Sequence, residues 1–219
     1  MTRAYVSWSS GKDSAFALHE ARRAGIDVAG LLTTVNETHA RVAMHGVRDA
    51  LLDRQAHALG LPILKVPIPH ACSNAIYEQR MAVACDTLKG RGIRNVIFGD
   101  LFLEDLRRYR IDRLAEISMT AMFPLWKRDT AVLARDMICS GLVAHIACLD
   151  PHKLPRSFAG RRFDDAMLDD LPADVDPCGE NGEFHTVVTA GPMFASQIDT
   201  EIGETVERDG FVFTDIIPR

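Results

Sequence analysis

Four serines, a glycine, a lysine and an aspartate crowd into residues 7 to 14, inside the stretch VSWSSGKDSAFAL that runs from Val6 to Leu18. Ser9, Ser10 and Gly11 are small enough for backbone amides to approach phosphate oxygens, and a helix beginning near Ser14 aims its positive end at the same place. Lys12 adds a full charge, and the hydroxyls of Ser7, Ser9 and Ser14 add donors. The chemistry suggested is local phosphate binding. Ser10 suits such a loop with a negative φ, since a side chain at positive φ is strained where glycine is not. The plainer alternative is a Ser/Gly turn that caps a helix.

A second polar constellation lies far along the chain, at DPCGENGEFHT, Asp176 to Thr186. Glu180 and Glu183 flank Asn181 and Gly182, Gly179 precedes them, and His185 and Thr186 follow. Such a loop can gather around a cationic or amide-bearing molecule. It can equally be a solvated turn leading into a strand, and the loop by itself leaves both open.

The elements that would position these residues alternate. Arg3 to Trp8 reads as a buried strand and Ser14 to Arg23 as a helix with a small-residue stripe at Ala17, Ala21 and Ala24. Strands are expected at Val28–Val35, Ile63–Val66, Asn95–Phe98 and Leu142–Leu149. Helices are expected at Val47–Leu59, Ser73–Lys89, Glu104–Ser118 and from an N-cap at Asp129 to Ser140. This order predicts a doubly wound parallel sheet covered by helices on both faces, through about residue 150. Beyond Asp150 and Pro151 the chain turns rich in Asp, Pro and Gly. There a helix is expected at Asp164–Leu171, and strands at Thr186–Thr189 and Gly210–Ile217, in a small C-terminal lobe or as an extension of the main sheet. In such folds ligands sit at the carboxyl ends of strands, where the strand order reverses. Gly99 and Asp100, at the end of the fourth expected strand, therefore join the candidates, as does His45.

Composition narrows the class. With 219 residues, 47% of them hydrophobic, the chain can form one sizeable core. No window approaches 18 uninterrupted apolar residues and the first eight residues do not form a signal peptide, so a cytoplasmic location is expected. The formal charge is -5 and no polybasic run occurs, which disfavours an extended grip on nucleic acid. The five cysteines form no C-x-x-C pair, so neither a zinc knuckle nor a redox dithiol is suggested. The phosphate loop G-x-x-x-x-G-K-[ST] fails twice, at Val6 and at Asp13, and no G-x-G-x-x-G occurs.

What remains, S-x-G-K-D-S, resembles the S-G-G-K-D-S loop of the PP-loop ATP pyrophosphatases, with Ser10 where the first glycine stands. Paired with Gly179–Phe184, GENGEF, it is similar to the diphthine-ammonia ligase family, whose later loop reads G-E-G-G-E-[FY]; Asn181 replaces a glycine. MHGVR at 44 to 48, FGDLFLEDLRRYR at 98 to 110 and PLW at 124 to 126 also look like family segments.

The resemblance implies an adenine nucleotide alpha-hydrolase-like domain at 1–150 and a small α+β acceptor-binding region at 151–219. It also implies an AMP- and pyrophosphate-forming ligase that adenylates a carboxylate and amidates it with ammonia, using ATP and Mg2+. The acceptor would be diphthine on elongation factor 2, or another small carboxylate. Nucleotide contacts would come from Ser7, Ser9, Ser10, Gly11, Lys12, Asp13, Ser14, His45, Gly99 and Asp100. Lys12, Asp13 and Ser14 would be catalytic, and Asp13 would also orient the metal. Acceptor contacts would come from Glu104, Gly179, Glu180, Asn181, Gly182, Glu183, His185 and Thr186. Glu104 with Arg107 and Arg108 has equally the spacing of helix-face ion pairs. Two other readings stay open: a sensor of the same fold that holds ATP without turnover, and other PP-loop chemistry, with oligomeric state undecided, a homodimer included.

Overall fold

The computed structural model describes residues 2–37, 41–42 and 46–219; His45 and Met44 of the MHGVR segment lie outside the described residues. Strand β1 (Arg3–Ser7) is apolar because both its faces are covered: Ala4, Tyr5 and Val6 are all buried. It pairs in parallel with β2 (Asp27–Asn36) on one side and with β5 (Asn95–Ile97) on the other. Two more parallel strands, β4 (Ile63–Ile68) beside β2 and β6 (Thr120–Met122) beside β5, give the order β4-β2-β1-β5-β6. The order reverses between β1 and β5, so the loops after these two strands open on a common crevice.

Helices fill both faces. Helix α1 (Lys12–Arg23) lays Ala15, Ala17, Leu18 and Ala21 on the sheet, while Ala24 caps its end in solvent. Helix α2 (Asp49–Leu59) joins it, ending at Gly60, whose φ of 65° suits a residue without Cβ. Helices α3 (Asn74–Gly90) and α4 (Glu104–Glu116) cover the other face, around a second cluster that includes Tyr5, Leu32, Leu88 and Leu114. A two-residue strand, β3 (Arg41–Val42), adds antiparallel to the end of β2 at Val35 and Asn36.

Past β6, Asp129 caps α5 (Thr130–Cys139), accepting from the Val132 amide at 2.9 Å. The next strand, β7 (Val143–Leu149), departs from the expected parallel series. It pairs antiparallel with β8 (Phe184–Ala190) and β10 (Phe211–Pro218), in a separate sheet ordered β8-β7-β10 and then β9 (Thr200–Arg208). An apolar run encodes burial and not the identity of its partner, so periodicity cannot distinguish the two sheets. Strand β9 (Thr200–Arg208), the open edge, escapes sequence reading because its side chains are mostly solvated and its composition is polar. The irregular segment before β8 carries the short helix α6 (Asp165–Asp169), capped by Asp164 through the Met167 amide at 2.9 Å.

One cluster of buried side chains joins α1, α2, α5 and the inner face of the antiparallel sheet, so the two sheets share a core. Among the described residues no helix is long and apolar enough to cross a membrane.

Candidate functional site

The loop after β1 takes its shape from the antiparallel sheet. Ser10 O accepts the Val188 amide at 2.9 Å and the Gln55 side-chain amide at 3.1 Å. Gln55 also donates to Val188 O at 2.7 Å and accepts from the Trp8 indole at 3.0 Å. This buried amide thus ties α2, the loop and β8 together, every polar atom satisfied within the network. It was not singled out in the sequence, although a glutamine among Leu51, Leu52, Ala56 and Leu59 on a core-facing stripe is a usable signal.

Ser10 corrects the expected negative φ. It sits at φ 72°, fully buried, with its hydroxyl unpartnered among the described residues. A non-glycine residue in this region costs about 1 to 2 kcal/mol. The Val188 and Gln55 bonds to its carbonyl hold the strained conformation in place.

Lys12 is the centre of the site. Its side chain is almost wholly buried, and Nζ donates to both Asp13 carboxylate oxygens, at 2.9 and 3.0 Å, and to the carbonyl oxygen of Cys178. The rings of Phe163 and Phe184 lie 5.5 and 5.4 Å from it, on cation–π terms. Burial is the largest single influence and lowers the amine, yet the charge and hydrogen bonds of Asp13, together with Cys178 and Glu180, outweigh it and hold Lys12 above its ordinary value. Burial pushes the Asp13 carboxyl up against the pull of Lys12. The Lys12 backbone amide donates to Thr186 Oγ1 at 3.1 Å, and Ser14 Oγ donates to Gly11 O at 3.0 Å and lies 3.2 Å from Ser9 Oγ.

Gly99 touches the same turn. A Cβ there would come within 2.7 Å of the Asp13 carbonyl carbon and 2.8 Å of the Ser14 nitrogen, both backbone atoms that cannot move aside cheaply. Asp100 is buried and pairs with Arg110 at 2.7 Å; burial nonetheless raises its carboxyl. Arg110, and not Arg107 or Arg108, is therefore the helix-borne arginine at this point. Arg107 stacks on Phe123 and Trp126, and Glu104 pairs with Lys127 at 2.9 Å.

The second constellation folds over Lys12. Glu180 Oε1 accepts the Leu101 amide at 2.7 Å, which ties this loop to the one after β5. Burial, with Asp13 and Asp100 nearby, pushes Glu180 up to about 7. Glu183 is buried, and its Oε1 accepts from the Asp176 amide and the Asn181 side chain, each at 3.1 Å. Gly179 and Gly182 take φ of 71° and 80°, as the tight turn requires. Burial and the Lys12 charge push His185 down to about 4, so it is neutral. Cys178 and Phe163, which complete the enclosure of Lys12, carry no sequence signal of their own; only tertiary contact reveals them.

Two cavities open at the carboxyl ends of the parallel strands. One, of about 270 Å³, lies between α3 and α4 against Ser7, Leu32 and Phe98, at the reversal point, and is largely apolar. The other, of about 570 Å³, lies between the end of β2 and the antiparallel sheet, with His185 in its wall. Among the described residues no three His, Cys, Asp or Glu side chains are gathered closely enough to hold a metal ion alone.

Comparison with known proteins finds the diphthamide synthase N-terminal domain over residues 2–120 and the diphthamide synthase C-terminal domain over residues 129–216. Among curated proteins, the diphthine–ammonia ligase of Danio rerio is 27% identical over 228 aligned residues, covering 90% of this chain and 86% of that protein. The diphthine–ammonia ligase of Schizosaccharomyces pombe is 28% identical over 110 residues, which are 48% of this chain and 18% of that much longer protein. Among solved structures, a predicted subunit of tRNA methyltransferase from Methanocaldococcus jannaschii aligns over 88% of this chain and 98% of its own. Its TM-score is 0.46 at 15% identity, too distant to bear on function.

Proposed function

This chain belongs to the diphthamide synthase family, and from that premise we propose that it is an ATP-dependent ligase that adenylates a carboxylate and amidates it with ammonia. The observation that carries the reading is the enclosure of Lys12. One buried, protonated amine stands where the phosphate loop, the loop after β5 and the Gly179–Glu183 turn converge.

In this reading the positive end of α1, with the buried Lys12 charge behind it, takes the β- and γ-phosphates, and the 270 Å³ cavity beside Ser7 takes the nucleoside. An acceptor carboxylate oxygen attacks the α-phosphorus; the bond to the β-phosphate oxygen breaks and pyrophosphate leaves. Ammonia then attacks the acyl carbon and AMP leaves with the former acceptor oxygen. The proton shed by the new amide needs a base, and Glu180, titrating near 7 beside the site, suits that task. Magnesium would be held by Asp13 together with phosphate oxygens, the usual mode with few protein carboxylates, and would supply charge neutralisation. The parallel sheet and its loops then form the nucleotide side, and the antiparallel sheet that contains β7, with the Gly179–Glu183 turn, the acceptor side. The curated relatives' name makes diphthine the leading acceptor, with another small carboxylate as the alternative.

The test is product analysis with ATP, magnesium, ammonium and a diphthine-bearing elongation factor 2. AMP and pyrophosphate that appear only with the acceptor support the reading. ADP and phosphate, or ATP that stays bound and intact with the acceptor present, overturn it.

A further inference from the structure

We propose that Arg110 is a catalytic residue: its guanidinium holds the α-phosphate of ATP and neutralises the charge that gathers there as the acceptor attacks. The proposal deepens the ligase reading and rests on it for the reaction; the phosphate contact is argued from the geometry alone.

Position comes first. Phe98, Gly99 and Asp100 follow β5 as one short span between the 270 Å³ cavity and the turn before α1. Phe98 lines the cavity, and Gly99 packs so closely on the turn that a Cβ would meet the backbone of Asp13 and Ser14 at 2.7 and 2.8 Å. Arg110 reaches this span from α4. Its guanidinium lies 4.3 Å from the centre of the Phe98 ring and pairs with Asp100, and its side chain lines the cavity. With the nucleoside in the cavity and the β- and γ-phosphates at the positive end of α1, the α-phosphate falls where the two meet, beside Arg110.

Chemistry comes second. Asp100 Oδ2 stands 2.7 Å from Nε of Arg110, and Nη2 donates to Oδ1 at 3.2 Å. This side-on pairing faces two of the five guanidinium N–H groups and leaves three, on Nη1 and Nη2, for a second anion. Asp100 is buried and Phe98 braces one face of the guanidinium, so the planar fork is held in one orientation by the protein itself. A charge oriented in advance needs no reorganisation when the transition state forms. The side chain remains 26% exposed, enough to meet a ligand. Asp100, expected to touch the nucleotide, is in this arrangement the residue that positions Arg110.

Three other cations near this point are already committed. Lys12 Nζ meets three acceptors, one for each of its N–H groups. Arg107 stacks on Phe123 and Trp126, and Arg113 faces Glu78 at 3.1 Å and Glu116 at 3.3 Å. In the reaction, the acceptor oxygen bonds to the α-phosphorus as the bond to the β-phosphate oxygen breaks, and that electron pair leaves on pyrophosphate. Between the two, negative charge rises on the non-bridging α-oxygens, and the three remaining N–H groups of Arg110 meet it.

The first test uses the whole protein and needs no turnover. Affinities for AMP and for adenosine, which differ only by the α-phosphate, are measured by calorimetry for wild type, Arg110→Lys and Arg110→Gln, with melting temperature as the fold control. Wild type should prefer AMP at least tenfold. Arg110→Gln should cut that preference at least fivefold with adenosine affinity within twofold, and Arg110→Lys should restore part of it. Should Arg110→Gln alone unfold, through the carboxylate it leaves unpaired, the double variant Arg110→Gln with Asp100→Asn takes its place. Wild type with no preference for AMP, a preference that survives the loss of Arg110, or equal losses for AMP and adenosine, as a merely structural role would give, each overturns the contact. The second test is acceptor-dependent AMP formation, where Arg110→Gln should lower kcat at least a hundredfold and raise the KM for ATP by less than tenfold. If the AMP preference behaves as expected and no acceptor yields AMP, the contact stands and the ligase reading falls. If acceptor-dependent AMP formation keeps its kcat in Arg110→Gln, the ligase reading stands and the catalytic role of Arg110 falls.

Discussion

The backbone amide of Lys12 donates to Oγ1 of Thr186 at 3.1 Å, joining residues 174 positions apart. This bond fixes the start of α1 against β8, so the loop between β1 and α1 is not a freestanding turn. Thr186→Val keeps the shape and removes the acceptor, leaving a buried N–H unpaired. A loss of about 1 to 3 kcal/mol is expected in urea unfolding, with weaker ATP binding. An unchanged urea midpoint would show that the loop keeps its conformation without β8.

Ser10 stores strain. Ser10→Gly should relieve the positive φ and remove an unpartnered hydroxyl, raising stability by up to about 1 kcal/mol after the greater flexibility of unfolded glycine is subtracted. Ser10→Val, β-branched at the same φ, should destabilise. Melting temperatures ordered Gly, Ser, Val from high to low are expected; Val above Ser contradicts the strain.

Gly99→Ala places a methyl 2.7 Å from the backbone of Asp13. The first turn of α1 must shift, so ATP affinity should fall at least tenfold, while the core far from the turn holds its protection in amide exchange. Full ATP affinity in this variant would mean that the turn does not touch the nucleotide.

Glu183→Ala should destabilise chiefly by releasing the buried Asp176 amide and the Asn181 side chain, by about 1 to 3 kcal/mol. Lys12→Ala should cost far more ATP affinity than Glu183→Ala does, and it should also destabilise, since the Asp13 carboxylate and the Cys178 carbonyl lose their partner. Titrating ATP into both variants checks the contrast: equal affinity loss in the two defeats it.

Glu180 gives a pH signature. Its folded carboxyl titrates near 7 and its unfolded carboxyl near 4.5, so the native state holds the extra proton between these values. The contribution to stability is fully present below pH 4.5 and is lost as pH rises through 7. His185 opposes it: buried neutral with a value near 4, it contributes stability above pH 6.5 that is lost as pH falls through 4. Glu180→Gln should therefore leave a chain whose stability rises more steeply from pH 4.5 to 7 than that of wild type. Urea midpoints at pH 5 and pH 7.5 measure the difference, and parallel pH trends in the two proteins would reject the raised value.

The sequence determined the parallel strands β1 to β6 and the small-residue turn from β1 into α1, because both are written locally. Apolar runs alternate with helical stretches, and small residues, Lys12 and a helix start follow the first strand within a few positions. It also marked the Gly179–Glu183 turn, since glycines and flanking acids are visible in one loop. Tertiary structure alone decided which sheet β7 joins, that Ser10 accepts a strained φ, and that Glu183 serves its own loop. It alone brought Arg41 and Arg48 onto Asp215, more than 160 positions away. Those outcomes depend on pairings between distant segments, and a hydrogen bond or ion pair across such a separation leaves no periodicity or spacing in the chain from which to read it.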